Sequence, residues 1–168
     1  LEKIVDTNDE WIVSRTGIRE RRVAPPDVYT SHLGAAAAKR ALAEAGTDAS
    51  DLDMILVATI TPDMIFPTTA CWMQTMLGAW NAACLDITAT CSGFIYGLQF
   101  AQALVASGTY RRILVVGAEE LSRITDYQAR STCILFGDAA GAAVVGPTDG
   151  RGEILGVYLG ADGRTADL

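Results

Sequence analysis

Leu85-Asp86-Ile87-Thr88-Ala89-Thr90-Cys91-Ser92-Gly93-Phe94-Ile95-Tyr96-Gly97-Leu98 carries an apolar strand directly into an apolar helix, with a cysteine at the junction. The apolar run from Leu85 to Ala89 is short, as in a buried strand, and the pattern from Ser92 to Ser107 is that of a helix. A thiol on the first turn of a helix faces unpaired backbone N–H groups and the positive end of the macrodipole, which favour thiolate over thiol. Ser92 and Gly93 are small, leaving room for a carbonyl to approach the sulfur and for amides to point at a developing oxyanion. Position alone leaves two readings of Cys91 open: a nucleophile, or a small buried hydrophobe, the commoner fate of a free cysteine.

The helix after Cys91 is apolar on nearly every side (Phe94, Ile95, Leu98, Phe100, Ala101, Ala103, Leu104, Val105), so it is expected to be enclosed by other elements, with Cys91 deep at the bottom of an access tunnel. At 1.5 Å per residue it is about 24 Å long, short of the roughly 30 Å hydrocarbon core of a bilayer, and it carries Gln99 and Gln102. It reads as a buried helix of a soluble protein.

Working outward, strand-like and helix-like segments alternate. Asn8-Asp9-Glu10 reads as a cap and acidic first turn for a short helix that stops near Thr16-Gly17, and Pro25-Pro26 breaks the chain. Thr30 or Ser31 is expected to cap a helix through Leu33, Ala37, Ala41, Leu42 and Ala45 that Gly46 closes. Asp53–Thr59 reads as a buried strand, and Pro67 opens a helix running to Gly78. Arg112–Gly117, Ala139–Gly146 and Ile154–Leu159 are further expected strands. The alternation implies an α/β layer structure with a mainly parallel or mixed sheet covered on both faces. No repeat or linker divides residues 1–168, which read as one continuous unit. Both ends look cut, since the chain opens on a helix with no strand before it and stops at Arg164-Thr165-Ala166-Asp167-Leu168.

The 168 residues are 50% hydrophobic, with mean hydropathy +0.24, enough for a sizeable core. A net charge of −7 and a pI near 4.6 argue against nucleic acid, although Arg15, Arg19, Arg21, Arg22, Lys39-Arg40 and Arg111-Arg112 leave an anionic small ligand or a solvated charged face open. Cys71, Cys84, Cys91 and Cys133 show no Cys-x-x-Cys spacing, and His32 is the single histidine, so neither a zinc site nor a secreted disulfide scaffold is expected. The amino end is charged from the start and does not read as a signal peptide; the expected compartment is the reducing cytoplasm.

Four stretches taken together resemble β-ketoacyl-acyl carrier protein synthase III: the block Val5-Asp6-Thr7-Asn8-Asp9-Glu10-Trp11-Ile12-Val13-Ser14-Arg15-Thr16-Gly17-Ile18-Arg19-Glu20-Arg21, then Phe66-Pro67, the Cys91-Ser92-Gly93-Phe94 elbow, and Phe136-Gly137-Asp138-Ala139-Ala140-Gly141-Ala142. The resemblance covers essentially all of residues 1–168. It implies a thiolase-like layered fold with a buried central helix, one half of a duplicated βαβαβαββ architecture, of which this chain is the amino-terminal half-domain without its first strand. The implied activity is the initiation of fatty-acid synthesis by a cytoplasmic homodimer. An acyl group from acyl-coenzyme A is loaded on Cys91 and condensed with malonyl-acyl carrier protein, with loss of carbon dioxide, to give a 3-ketoacyl-acyl carrier protein. Thioester exchange suits a helix-terminal thiol, because its leaving-group ability matches that of the thiol it displaces. No cofactor, metal, nucleic acid or membrane is implied.

By motif, Trp11 and Arg130 match the pair that flanks the adenine of coenzyme A in the family, while Thr7 and Arg15 match further nucleotide contacts. Without the resemblance, Trp11 reads as a core residue. Ser131 departs from the glycine that the family often carries after the arginine. Phe66 matches a residue that reaches across a two-fold dimer axis toward the neighbour's acyl pocket; its other reading is a core aromatic before a proline. Phe136-Gly137-Asp138 lacks the ending of a phosphate loop and is structural in the family. His32 does not match the catalytic histidine; that residue and an asparagine are expected outside this chain. Residues 1–168 alone are therefore expected to perform no ketoacyl synthesis and to fold poorly. Three rival readings are a non-catalytic condensing-enzyme-like subunit, a related acyl-coenzyme A-using polyketide-type synthase, and a cysteine hydrolase that uses the same acyl-enzyme.

Overall fold

The computed structural model describes residues 1–148, 150 and 152–165; the end of the sequence, Ala166–Leu168, lies outside them. Strands β1 (Met54–Ala58), β2 (Ala83–Ile87), β3 (Ile113–Glu120) and β4 (Asp138–Val145) form a four-stranded sheet in the order β2-β1-β3-β4. β1 runs parallel to both β2 and β3, and β4 closes the sheet antiparallel to β3. The mixed α/β sheet is the expected one. The described α-helices are α1 (Asp9–Thr16), α2 (Thr30–Ala45), α3 (Thr69–Leu77), α4 (Gly93–Ala106) and the single turn α5 (Arg130–Cys133).

β1 is buried over its whole length because helices cover both of its faces. Its period of two sends Ile55 and Val57 toward α2 and α3, where they meet Ala38, Met73, Leu114 and Val116. Met54 and Leu56 point the other way, into a cluster with Ala101, Ile113 and Val115 under α4. The register Ile55↔Leu114 and Leu56↔Val115 keeps like-facing residues side by side in neighbouring strands. Each such side chain contributes about 1.5–3 kcal/mol when fully withdrawn from water.

α4 lies close on the sheet because two of its positions lack a side chain. A Cβ at Gly97 would stand 2.8 Å from Val115 Cγ1 and 3.0 Å from Leu56 Cδ2, and one at Gly93 would stand 2.9 Å from Ala58 Cβ. Only glycine allows this approach without a shift of the neighbours.

Helix starts draw on distant carboxylates. Asn8 caps α1 as expected, accepting from Trp11 N–H at 2.8 Å. Thr30 and Ser31 do not cap α2: both are buried, Thr30 Oγ1 donates to Thr61 O, and Asp63 accepts from Ser31 N–H at 2.8 Å and from Ser31 Oγ at 2.5 Å. Asp86 on β2 accepts from Thr69 N–H (2.6 Å) and Ala70 N–H (2.9 Å), fastening the first turn of α3 to the strand. Gly17, Gly46 and Gly78 close α1, α2 and α3 with left-handed backbone, at the stops the sequence marks.

Two further expectations fail. Ile154–Leu159 forms no strand, and Leu155 and Tyr158 stand exposed, because no described strand lies beside the segment to pair with it. α4 is not enclosed: only Gly93, Gly97 and Ala101 are buried, while Ile95 and Phe100 are 46% and 43% exposed. It packs by a stripe centred on Gly93, Gly97 and Ala101, with Phe94, Leu98, Leu104 and Val105 half-buried beside it, and among the described residues nothing covers the other side. No helix among the described residues is long and apolar enough to cross a membrane.

Candidate active site

Cys91 lies where β2 hands over to α4. The strand ends at Ile87, a single 3-10 turn spans Thr90–Ser92, and α4 begins at Gly93. Thr90 has φ +45°, a left-handed conformation that is unusual for a β-branched residue, and it turns the chain from strand into helix within a few residues. Gly93 lets the start of α4 touch Ala58 on β1, which pulls Cys91 in over the end of the sheet.

The thiol opens on a cavity of about 710 Å³ at the carboxyl ends of the parallel strands, where ligands of open α/β sheets are held. Ala58 borders it from β1, Ile60 from the segment after it, Gly117–Glu119 from β3, Ala139–Gly141 from β4, and Thr132 from α5. The lining is mainly apolar with few polar groups, the pattern of a pocket for an acyl chain or another small organic group. Cys91 itself is exposed. This corrects the expected tunnel floor and has the same cause as the open side of α4.

Glu119 is a lining residue that the sequence reading passed over. Its carboxylate accepts from Ile60 N–H at 3.0 Å and from Thr61 Oγ1 at 2.6 Å, pinning the segment after β1 along the edge of the cavity. An acidic residue at the carboxyl end of an otherwise apolar strand was the available signal. Asp138, in the Phe136-Gly137-Asp138 stretch, is buried and accepts from Ala24 N–H (2.7 Å), Ser122 N–H (2.8 Å) and Ser122 Oγ (2.6 Å), a structural clamp.

The four residues matched to nucleotide contacts fall on one side of the molecule. Trp11 sits on α1, half buried beside Ile12, Cys133 and Ile134. The Arg130 guanidinium lies 4.0 Å from the centre of its ring, and that of Arg15 4.8 Å. Thr7 Oγ1 is buried and has no hydrogen-bond partner among the described residues, an unmet polar group of the kind a ligand can satisfy. α5 joins this group to Cys91, since Arg130 stacks on Trp11 while Thr132 lines the Cys91 cavity. At 4.0 Å the tryptophan and guanidinium are in direct contact, so a base between them requires Arg130 to swing away.

Phe66 is not drawn into the cavity of its own chain: it is 80% exposed on the loop between β1 and α3. His32 stands on the first turn of α2, where Nδ1 accepts from Tyr29 N–H at 3.0 Å, and it does not line the cavity. Among the described residues no group of three or more His, Cys, Asp or Glu side chains could hold a metal ion.

Comparison with known proteins places this geometry. Residues 85–163 match the family model described as 3-Oxoacyl-[acyl-carrier-protein (ACP)] synthase III. The chain is 61% identical over 163 residues to the beta-ketoacyl-[acyl-carrier-protein] synthase III of Caldanaerobacter subterraneus subsp. tengcongensis, covering 97% of this chain and 49% of that one. With the Bacillus pumilus protein of the same name it shares 59% over 165 residues, covering 98% and 53%. The chain spans about half the length of the curated relatives it matches. Among solved structures, 3-oxoacyl-[acyl-carrier-protein] synthase III from Aquifex aeolicus superposes with TM-score 0.85 at 50% identity, over 88% of this chain and 48% of that one. The priming beta-ketosynthase of a polyketide biosynthetic pathway superposes with TM-score 0.85 at 44% identity, over 88% and 44%. With Cys91 at the strand–helix elbow, the motifs in order and the fold shared, the chain belongs to the β-ketoacyl-acyl carrier protein synthase III family of thiolase-like condensing enzymes.

Proposed function

We propose that the chain is the amino-terminal, nucleophile-bearing part of a condensing enzyme that starts fatty-acid synthesis. Cys91 takes the acyl group of an acyl-coenzyme A: the sulfur attacks the thioester carbonyl, the carbon–sulfur bond to coenzyme A breaks, and the departing thiol leaves with a proton. The carbanion released when malonyl-acyl carrier protein loses carbon dioxide then attacks the acyl-Cys91 carbonyl, freeing the thiol and giving a 3-ketoacyl-acyl carrier protein. The observation that carries this reading is the elbow itself, which puts an exposed thiol at the mouth of an apolar cavity with α5 linking it to Trp11.

In this reading Arg130 swings off Trp11 to admit the adenine between indole and guanidinium, Thr7 Oγ1 gains its missing partner from the nucleotide, and Arg15 meets a phosphate. The exposed Phe66 reaches a neighbouring protomer in a homodimer. The histidine and asparagine that stabilise the enolate come from outside residues 1–168, and the same remainder covers the open side of α4. The enzyme is assigned to the cytoplasm and needs no cofactor.

The test is product analysis of the longer protein with acyl-coenzyme A and malonyl-acyl carrier protein. A 3-ketoacyl product that disappears in Cys91→Ala supports the reading; free acid would make the protein a hydrolase. Trp11→Ala is expected to weaken acyl-coenzyme A binding by about 1–3 kcal/mol, judged from base stacking. It should leave reaction from a short acyl thioester without the nucleotide intact, and an equal loss with both substrates would return Trp11 to the core. Similarity to a priming β-ketosynthase favours a second reading, in which the same chemistry primes a polyketide. Rates with fatty-acid and polyketide carrier proteins separate the two.

A further inference from the structure

A second pair of thiols lies on the far side of the sheet from α4. Cys84 projects from β2 toward α3, and its Sγ donates to Ala70 O at 3.5 Å, the carbonyl of the residue immediately before Cys71. Cys71 stands on the first turn of α3, where its sulfur accepts from Thr68 Oγ1 at 3.3 Å. The two Asp86 hydrogen bonds hold that turn against the strand, two residues along from Cys84. The Ala70 O contact thus seats Cys84 against the turn that carries Cys71; both cysteines are half-buried, and neither lines the Cys91 cavity.

We propose that Cys71 and Cys84 form a redox-active dithiol, a modification site distinct from Cys91, which a low-molecular-weight disulfide of the glutathione type converts to an intramolecular disulfide stapling α3 to β2. Cys84 holds its proton, pushed up to about 12 by burial first, and then by the neighbouring Cys71 and by Asp86. Cys71, on the first turn of α3, is the attacking sulfur. Its thiolate displaces one thiolate from the small disulfide, which takes a proton from water, and a mixed disulfide remains on Cys71. The mixed disulfide places an electrophilic sulfur on the turn against which Cys84 is seated. Cys84 then loses its proton to solvent, attacks the Cys71 sulfur and expels the second small thiolate. Two protein thiols are oxidised to one disulfide, and the small disulfide is reduced to two thiols.

The inference is independent of the reading of Cys91, and its test removes that residue from play. The longer protein carrying Cys91→Ala is incubated with glutathione disulfide, remaining thiols are blocked with iodoacetamide, and the digest is read by mass spectrometry. The expected product is a Cys71–Cys84 linked peptide, two hydrogens lighter than its parts, that dithiothreitol separates. Cys84→Ser should stop at a glutathione adduct on Cys71. Separate glutathione adducts on both residues of the Cys91→Ala protein, or recovery of both with iodoacetamide alone, would overturn the proposal.

Discussion

The two faces of the sheet differ in completeness. On one, α2 and α3 seal Ile55, Val57, Leu114 and Val116 to zero exposure, and both helices are fastened at their starts by carboxylates of the chain. On the other, α4 covers Leu56 and Val115 but turns Ile95 and Phe100 to the outside, and the cavity of Cys91 opens along the same side. The closed face is a core that supports itself. The open face carries Cys91, so the proposed nucleophile stands where a further layer of protein can complete a site.

Substitutions in the longer protein break this contrast at graded cost. Ile55→Ala empties a sealed position and should lower the unfolding free energy by about 2–5 kcal/mol in denaturant titration. Gly97→Ala drives a methyl into Val115 and Leu56 and should cost about 1–3 kcal/mol through overpacking. Ile95→Ala reads whether the open face is covered: coverage by the remainder of the protein predicts a loss of roughly 1 kcal/mol, whereas a loss below about 0.5 kcal/mol would mean that the face stays in water.

The smallest effect lies at the other end of the sheet, where Asp53 accepts from Arg111 N–H at 2.7 Å and Arg112 N–H at 2.9 Å. These two bonds hold its carboxyl below the ordinary range, with Arg111 the larger cause. A depressed folded-state value stabilises the fold above the unfolded value of about 3.9, and that contribution is lost as pH falls through the folded value. Asp53→Asn should flatten the acid limb of a stability–pH curve while leaving neutral stability lower. An unchanged acid limb would show that the two N–H bonds do not discriminate between the protonation states.

What the sequence discloses is mostly local. The Asn8 cap, the glycine stops and the four strands of the sheet are legible because each depends on neighbours along the chain. The capping by Asp63 and Asp86 is not, because those carboxylates lie 32 and 17 residues from the N–H groups they accept. Ile154–Leu159 has a strand's composition, yet a strand forms only with a partner, and composition does not name one. The burial of α4 is not legible for a related reason. Its apolar surface records everything that can cover it, whereas the described residues supply a cover on one side only. The elbow was legible as a strand–cysteine–helix pattern, and Trp11 with Arg130 through resemblance to a family. Glu119 was not, because its role depends on a loop 58 to 60 residues away.

Cys91, alone among the four cysteines, is proposed to carry the acyl group. Acyl-coenzyme A is added to the longer protein without malonyl-acyl carrier protein, the reaction is quenched in acid, and the digest is analysed by mass spectrometry. The expected result is one acylated peptide, containing Cys91 and absent from Cys91→Ala. An acyl group on Cys71, Cys84 or Cys133, or one that persists in Cys91→Ala, would contradict it.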